Sequence, residues 1–210
     1  MRKPSEVIIN GKTLEEILEN HKHWLMGDVE GYKKMRANLD GADISNTDLR
    51  FANLKYAHLD GVNFYKSDLR EADLHRANLF HSNLSYADFR EAKLDGANIV
   101  KSSLIFADFS DANLVGACLV DSNLLNADLE CANLGWADLR NCNLTHANFR
   151  CCNLWHGNLV GAKHIPYIPL RCPSDGAFIG WKKVNNVLIK LEIPADAKRS
   201  SATTNKCRCD

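Results

Sequence analysis

The chain has 210 residues, with 26 Lys and Arg against 26 Asp and Glu, 45% hydrophobic residues and 8% aromatic ones. That length serves one or two domains with a sizeable core, and a formal net charge of zero excludes a molecule that as a whole mimics or grips nucleic acid by bulk charge. Residues 1–10 carry no apolar run of signal-peptide length, and nowhere do roughly 18 apolar residues follow one another as a membrane span requires. A cytoplasmic protein without membrane association is therefore expected, its 8 cysteines held as reduced thiols.

Residues 1–35 read as a cap with one helix. Val7-Ile8-Ile9 has the makeup of a short strand and Asn10-Gly11 that of a turn, after which Thr13 and Glu16 form a capping box that opens a helix. Leu14, Ile17, Leu18 and Leu25 give it an apolar stripe, with Trp24 nearby, and Gly27 follows.

From Arg36 to Val160 the sequence falls into 25 pentapeptides without an insertion. Their central residues, Leu39 to Leu159, are 19 Leu, 4 Phe and 2 Ile. Two places earlier stands a small residue, Ala in 16 cases, and between the two lies Asn or Asp in 21. A period of five fits neither helix nor strand, so the backbone must turn in every repeat. Asn and Asp, whose side chains bond nearby backbone groups, are the expected turn residues. The small and the central residues then point inward, and the other three positions face water.

The outward positions carry a second period. Arg50, Arg70, Arg90 and Arg150 recur at multiples of twenty, as do Asp48, Asp68, Asp88, Asp108 and Asp128; Glu71, Glu91 and Asp111; and, inside, Phe89, Phe109 and Phe149. Twenty residues are four pentapeptides, which predicts a square coil stacked on itself in layers about 4.8 Å apart, roughly 30 Å long in all. Such a stack leaves bare backbone groups and an open core at its ends, hence the cap expected of residues 1–35; a partner-binding helix is the alternative reading.

The tandem A-[DN]-L-x-x, as in Ala112-Asn113-Leu114 and Ala137-Asp138-Leu139, resembles the pentapeptide-repeat proteins. The resemblance implies an all-β fold, a right-handed quadrilateral β-helix over residues 36–164; its handedness comes from the resemblance alone. His21-Lys22-His23-Trp24 is similar to the leader segment ahead of the repeats in some members. Some members protect DNA gyrase from quinolones and imitate the shape and charge of duplex DNA.

After Lys163 the pattern ends, and Pro166, Pro169 and Pro173 prevent its continuation. Within residues 165–194, Phe178-Ile179-Gly180-Trp181 and Val187 to Ile193 read as two strands joined near Asn185-Asn186, a C-terminal β-hairpin. This part resembles a segment found on members from Gram-positive bacteria and their phages. Residues 195–210 read as a polar, basic, mobile tail with Lys198, Arg199, Lys206 and Arg208.

No catalytic constellation is legible: no paired carboxylates stand apart from the ladder, and there is no glycine-rich phosphate loop or nucleophile elbow. No enzyme, cofactor or catalytic residue is expected. The Asp column occupies a position that holds Asn in 13 repeats, so turn bonding explains it better than metal binding. Cys172, Cys207 and Cys209 with His164 lack zinc-site spacing, Cys142 and Cys152 read as core residues, and no metal site is expected. Cys131 and Cys151, one circuit apart, are expected to be outward neighbours that oxidation could link, with reduced thiols favoured.

Residues 36–160 carry 11 basic and 16 acidic residues, and residues 161–210 carry 9 and 4. A duplex mimic needs an unbroken anionic surface, whereas Arg50, Arg70 and Arg90 run beside Glu71, Glu91 and Asp111 and neutralise that face. The other outward signal is apolar: Tyr65, Tyr86, Ile105, Phe106 and Leu125 on one side, Phe80, Val100 and Val120 on the adjoining one. Two covers for this patch stay open: the C-terminal hairpin with Phe178, Ile179 and Trp181, or a partner. The expected role is a non-catalytic scaffold that binds a protein partner, a second copy included, with neither membrane nor direct nucleic-acid binding; gyrase inhibition or protection is the alternative.

Overall fold

Most pentapeptides satisfy their backbone donors in one repeating way, and this pattern generates the coil. In Ala112–Gly116, the Ala112 amide donates to Phe109 O of the preceding unit at 3.0 Å, Asn113 to Ala92 O one layer below at 2.9 Å, and Leu114 to Asn133 O one layer above at 2.8 Å. Val115 donates to the Asn113 side chain at 3.3 Å, and Gly116 to Gly135 O above at 2.8 Å. Four such units close one circuit, and parallel bridges between residues twenty apart run from Asn38 with His58 to Asn143 with Lys163. The computed structural model describes residues 1–166 throughout and, beyond them, the backbone of 178–184, 187–193, 199–201 and 207–209.

The walls are joined by isolated bridges, one residue per pentapeptide, and residues 36–163 form no regular strand. A five-residue side with two residues in its corner leaves too short a run for a regular ladder. Nor do Asn and Asp make the reversal themselves. The chain turns two and three residues later, as where Ala117 N bonds Leu114 O at 3.0 Å around Val115 and Gly116. The second corner residue has positive φ at every turn from Gly41 to Gly161, in most cases without glycine to ease it. None of these corner residues is β-branched, consistent with the steric cost of the left-handed region. Asn and Asp instead accept the amide of the first corner residue.

Inside, every central residue from Leu39 to Leu159 is buried. Phe89 and Phe109 stack at 4.8 Å with planes 3° apart, about one layer spacing. The inward serines are satisfied rather than tolerated: the hydroxyls of Ser82, Ser102 and Ser122 donate to Leu59 O, Leu79 O and Ile99 O at 2.9, 2.8 and 2.7 Å. Each of the last two also accepts the amide of the serine one layer below at 3.1 Å.

At the N-terminus β1 (Ile8–Ile9) pairs with β2 (Lys12–Thr13) across Asn10-Gly11, and α1 spans Leu14–Met26. The Thr13 hydroxyl accepts from Glu16 N and the Glu16 carboxylate accepts from Thr13 N, while Gly27 at φ 66° ends the helix. Leu14 and His21 are buried. His21 accepts the Ala37 amide on Nδ1 at 3.1 Å, so its proton sits on Nε2, 2.9 Å from Lys55 O. Arg2 bridges Thr47 in parallel, in the place a preceding coil would take.

β3 (Phe178–Val184) pairs antiparallel with β4 (Val187–Ile193), so the first strand extends beyond the Trp181 expected from sequence. β5 (Arg199–Ser201) pairs with β6 (Cys207–Cys209) inside the segment read as a tail. Three-residue strands are too short for alternation to reveal.

Asn123 accepts the Leu125 amide at 3.2 Å and the Asn143 side chain at 2.9 Å. Asn123→Ala should therefore cost about 1–3 kcal/mol in urea unfolding, and Asn123→Asp, which keeps the acceptor, clearly less. Burial, more than the nearby Arg36, holds the His21 pKa below its ordinary value. Its neutral form thus favours the fold, a contribution complete above about pH 6.5 and lost as pH falls below it. The thermal midpoint of His21→Gln should change less than that of the wild type between pH 7.5 and 5.

Candidate functional site

The third wall carries the charge ladder. Arg50, Arg70 and Arg90 each fork onto the aspartate two residues earlier, with Nη2 to Oδ2 distances of 2.7, 2.7 and 2.6 Å to Asp48, Asp68 and Asp88. Each Nε also faces the aspartate one layer on, Asp68, Asp88 and Asp108, at 3.7, 3.6 and 3.6 Å. A carboxylate only accepts, so stacked aspartates repel unless a cation lies between them. Asparagines need none, because one can donate to the next below, as Asn83 does to Asn63 at 2.9 Å. The hydrogen bonds from Arg50 hold the Asp48 carboxyl down at about 2. Burial pushes Asp68 up, and the Arg70 bonds outweigh it, leaving the pKa below its ordinary value.

Glu71, Glu91 and Asp111 stand exposed at the adjoining corner, and Arg50, Phe51, Arg70, Glu71, Arg90 and Glu91 line one open groove. The arginine column breaks at Ser110, whose hydroxyl donates to Asp108 at 2.6 Å, and at Glu130, which pairs with Arg150 at 3.4 Å.

The apolar residues divide into two columns, one at each corner of the second wall. Tyr65, Ile105 and Leu125 hold the first corner position at its far end and are half-buried. Tyr86 and Phe106 hold the second, 46% and 47% exposed. Their rings form a ladder: Tyr65 meets Tyr86 edge-on at 5.6 Å, and Tyr86 stacks on Phe106 at 5.0 Å. The Lys66 ammonium lies 5.2 Å from the Tyr65 ring and 5.9 Å from that of Tyr86. Phe80, Val100 and Val120 follow the other corner, also half-buried. All eight face outward, and layers about 4.8 Å apart let the residues of a column cover one another in part.

Sequence reading missed a second aromatic group. Trp136 and Trp155, 57% and 52% exposed, meet edge-on at 5.4 Å, and His156 stacks on Trp136 at 4.1 Å. The signal was present, since Trp136 and His156 are twenty apart. Near the N-terminus His21 stacks on Trp24 at 5.3 Å, Trp24 meets Tyr56 at 6.4 Å, and Tyr56 meets His75 at 5.3 Å; His75 Nδ1 bonds Asp95.

Cys118, Cys131, Cys142, Cys151 and Cys152 are free. Burial pushes the thiols of Cys142 and Cys152 up to about 12. The side chains of Cys172, Cys207 and Cys209 lie outside the described residues, and His164 is exposed. Among the described residues no three or more His, Cys, Asp or Glu side chains are grouped to hold a metal ion, and no helix is long and apolar enough to cross a membrane.

The pentapeptide-repeat family, described by eight repeat copies, matches residues 35–70, 72–105, 87–126, 107–145 and 127–163. The chain belongs to the pentapeptide-repeat family. The fold of that family is a right-handed β-helix. Residues 168–210 match a family of unknown function, DUF5758. No curated protein matches this pentapeptide-repeat chain. Among solved structures it is similar to a pentapeptide repeat protein of the Arabidopsis thaliana thylakoid lumen, with 32% identity and a TM-score of 0.44 over 45% of this chain and 66% of that one. It therefore spans just under two thirds of that relative. HetL of the cyanobacterium Nostoc, involved in heterocyst differentiation regulation, gives 28% identity and a TM-score of 0.25 over 60% and 73%. QnrB1, a plasmid-mediated fluoroquinolone resistance protein, gives 20% and 0.32 over 60% and 71%.

In Arg50→Gln the Asp48 carboxyl should titrate near its ordinary value of about 4 instead of about 2, read by carboxyl NMR. A depressed native pKa stabilises the fold above about pH 4, and the contribution is lost as pH falls towards 2. The variant should accordingly lose less stability than the wild type across that interval.

Proposed function

We propose that this pentapeptide-repeat protein is a non-catalytic scaffold that binds another protein through the corner ladder of Tyr65, Tyr86 and Phe106, with Ile105 and Leu125 beside it. The observation that supports this is the contact of three rings in one strip, Tyr65 edge-on to Tyr86 and Tyr86 stacked on Phe106, of which Tyr86 and Phe106 are nearly half exposed. Aromatic side chains dominate protein-binding hot spots. Rings already held by their column lose little rotamer freedom on binding, which favours affinity. Residues 1–35 serve as the cap of the scaffold: His21, Leu14 and Arg2 occupy the face that a preceding coil would otherwise cover.

The alternative, protection of a topoisomerase by resemblance to DNA, is favoured by one stretch only. Beyond Arg90 on this wall and its corner, Asp108, Asp111, Asp128 and Glu130 follow one another with no Lys or Arg between residues 108 and 130, Arg150 pairing with Glu130. A duplex carries one charge per roughly 1.7 Å along its whole length, and Arg50, Arg70 and Arg90 interrupt any such continuity on this wall.

Affinity capture from the native host by the wild type and by a Tyr86→Ser, Phe106→Asp variant tests the scaffold reading, with Phe51→Ser as an exposed control on another corner. The partner should fall at least tenfold with the ladder variant and not with the control. An unchanged partner set would overturn the ladder as the contact. Light scattering of the same proteins identifies a second copy as the partner if the wild type is dimeric and the variant monomeric. Supercoiling by purified gyrase should be unaffected at micromolar protein; inhibition, or relief of quinolone inhibition, would establish the alternative.

A further inference from the structure

The corner diagonally opposite the aromatic ladder carries the column Arg76, Gly96, Gly116, Trp136 and His156, each twenty residues from the next. Gly96 N bonds Val115 O, Gly116 N bonds Gly135 O and Trp136 N bonds Trp155 O, all at 2.8 Å, so the layers stand in register. His156, one layer above, stacks on Trp136 with centroids 4.1 Å and planes 20° apart. The indole therefore lies across the coil axis, one face against His156 and the other turned toward the layer of Gly116. That second face is open: Trp136 is 57% exposed although His156 covers one side, and nothing stands within 4 Å of where a residue 116 side chain would begin.

One layer further down, the column is closed from below. The Arg76 side chain runs up along Gly96, its Cγ and Nε 3.1 and 3.7 Å from where a residue 96 side chain would begin. Trp136 and the head of Arg76 are thus about two layers, roughly 9.6 Å, apart, with only Gly116 between them. A ring in that slot sits about 4.8 Å from each. Phe89 and Phe109 stack at 4.8 Å in the core, and a cation attracts an aromatic face within about 6 Å.

We infer that Trp136, Gly116 and Arg76 form a site for a small planar aromatic anion, whose ring stacks between the indole and the guanidinium. The site stands apart from the ladder of Tyr65, Tyr86 and Phe106 and does not depend on it. Charge selects the anion. Each acid on the two walls that meet at this corner, between the layers of Arg76 and Trp136, is already engaged: Asp73 with Lys55 at 3.2 Å, Asp95 with His75 and Asp138 with Arg140 at 2.7 Å. Arg76 and the exposed Lys93, on the wall just before Gly96, have no ion pair among the described residues. The cations left over are those beside the slot, and a cationic ring would meet Arg76 with like charge.

Equilibrium dialysis of the full-length protein against naphthoate tests the site, with NMR of the Trp136 indole N–H to locate the probe. Naphthoate should half-saturate the wild type at or below about 1 mM and shift that resonance, and naphthylmethylammonium should bind at least tenfold more weakly. Gly116→Phe fills the slot with the protein's own ring, and the backbone accepts it, since Phe51 and Phe106 hold the same corner position at φ 61° and 55°. Gly116→Phe and Trp136→Ala should each weaken naphthoate binding at least tenfold, as expected for a lost stacking contact; Arg76→Gln should weaken it at least threefold, and Phe51→Ser should not. Should Gly116→Phe fail to fold, Trp136→Ala, a change at an exposed position, decides alone. Unchanged affinity in either variant, no saturable binding by the wild type, or equal binding of the cationic probe would overturn the site.

Discussion

Hydrogen bonds between layers at a fixed offset, such as Leu39 N to His58 O and His58 N to Ala37 O, are the constraint on which the rest of the molecule depends. They place every residue above and below those twenty positions away, so each side chain has two neighbours of known identity. Side-chain chemistry then becomes one-dimensional. Asparagine, with donor and acceptor, stacks on itself; aspartate, an acceptor only, stacks where arginine lies between; phenylalanine stacks by its faces, and serine by passing its hydroxyl to the layer below. Stability of such a stack is close to a sum over neighbouring coils.

A second constraint follows from closing a square with sides of five residues. Each corner forces one residue into the left-handed region, and at most corners that residue is not glycine. Corners such as Tyr86 and Phe106 thereby turn large side chains outward at the vertices, where walls cannot cover them. The strain of the turn and the exposure of the aromatic ladder thus have one geometric origin. Cys131 and Cys151 are presented by the same device.

Rigid columns fix where each outward side chain stands. Most amides of the repeating unit are bonded to a neighbouring layer or to their own turn, and the vertices hold their side chains at a constant interval set by the backbone. A surface of this kind presents side chains at one interval: three aromatic rings at one corner, or alternating Arg and Asp that neutralise each other. The N-terminal helix joins this frame through its buried histidine, whose two ring nitrogens bond Ala37 and Lys55 of the first coil.

The sequence by itself determined the coil. Periods of five and twenty are written in residue types, so the inward pair, the four walls, the stacking of Arg70 under Arg90 and the adjacency of Cys131 and Cys151 were all legible from spacing. The tertiary structure alone decided how far each outward residue is covered, which of two corner residues takes positive φ, and that His21 docks beneath Ala37 and Lys55. Burial of Ile105 or Val100 depends on the volume of residues a layer away, and the His21 site is assembled from segments 16 and 34 positions apart. Periodicity specifies which residues become neighbours, while the space left between them is a property of the packed chain.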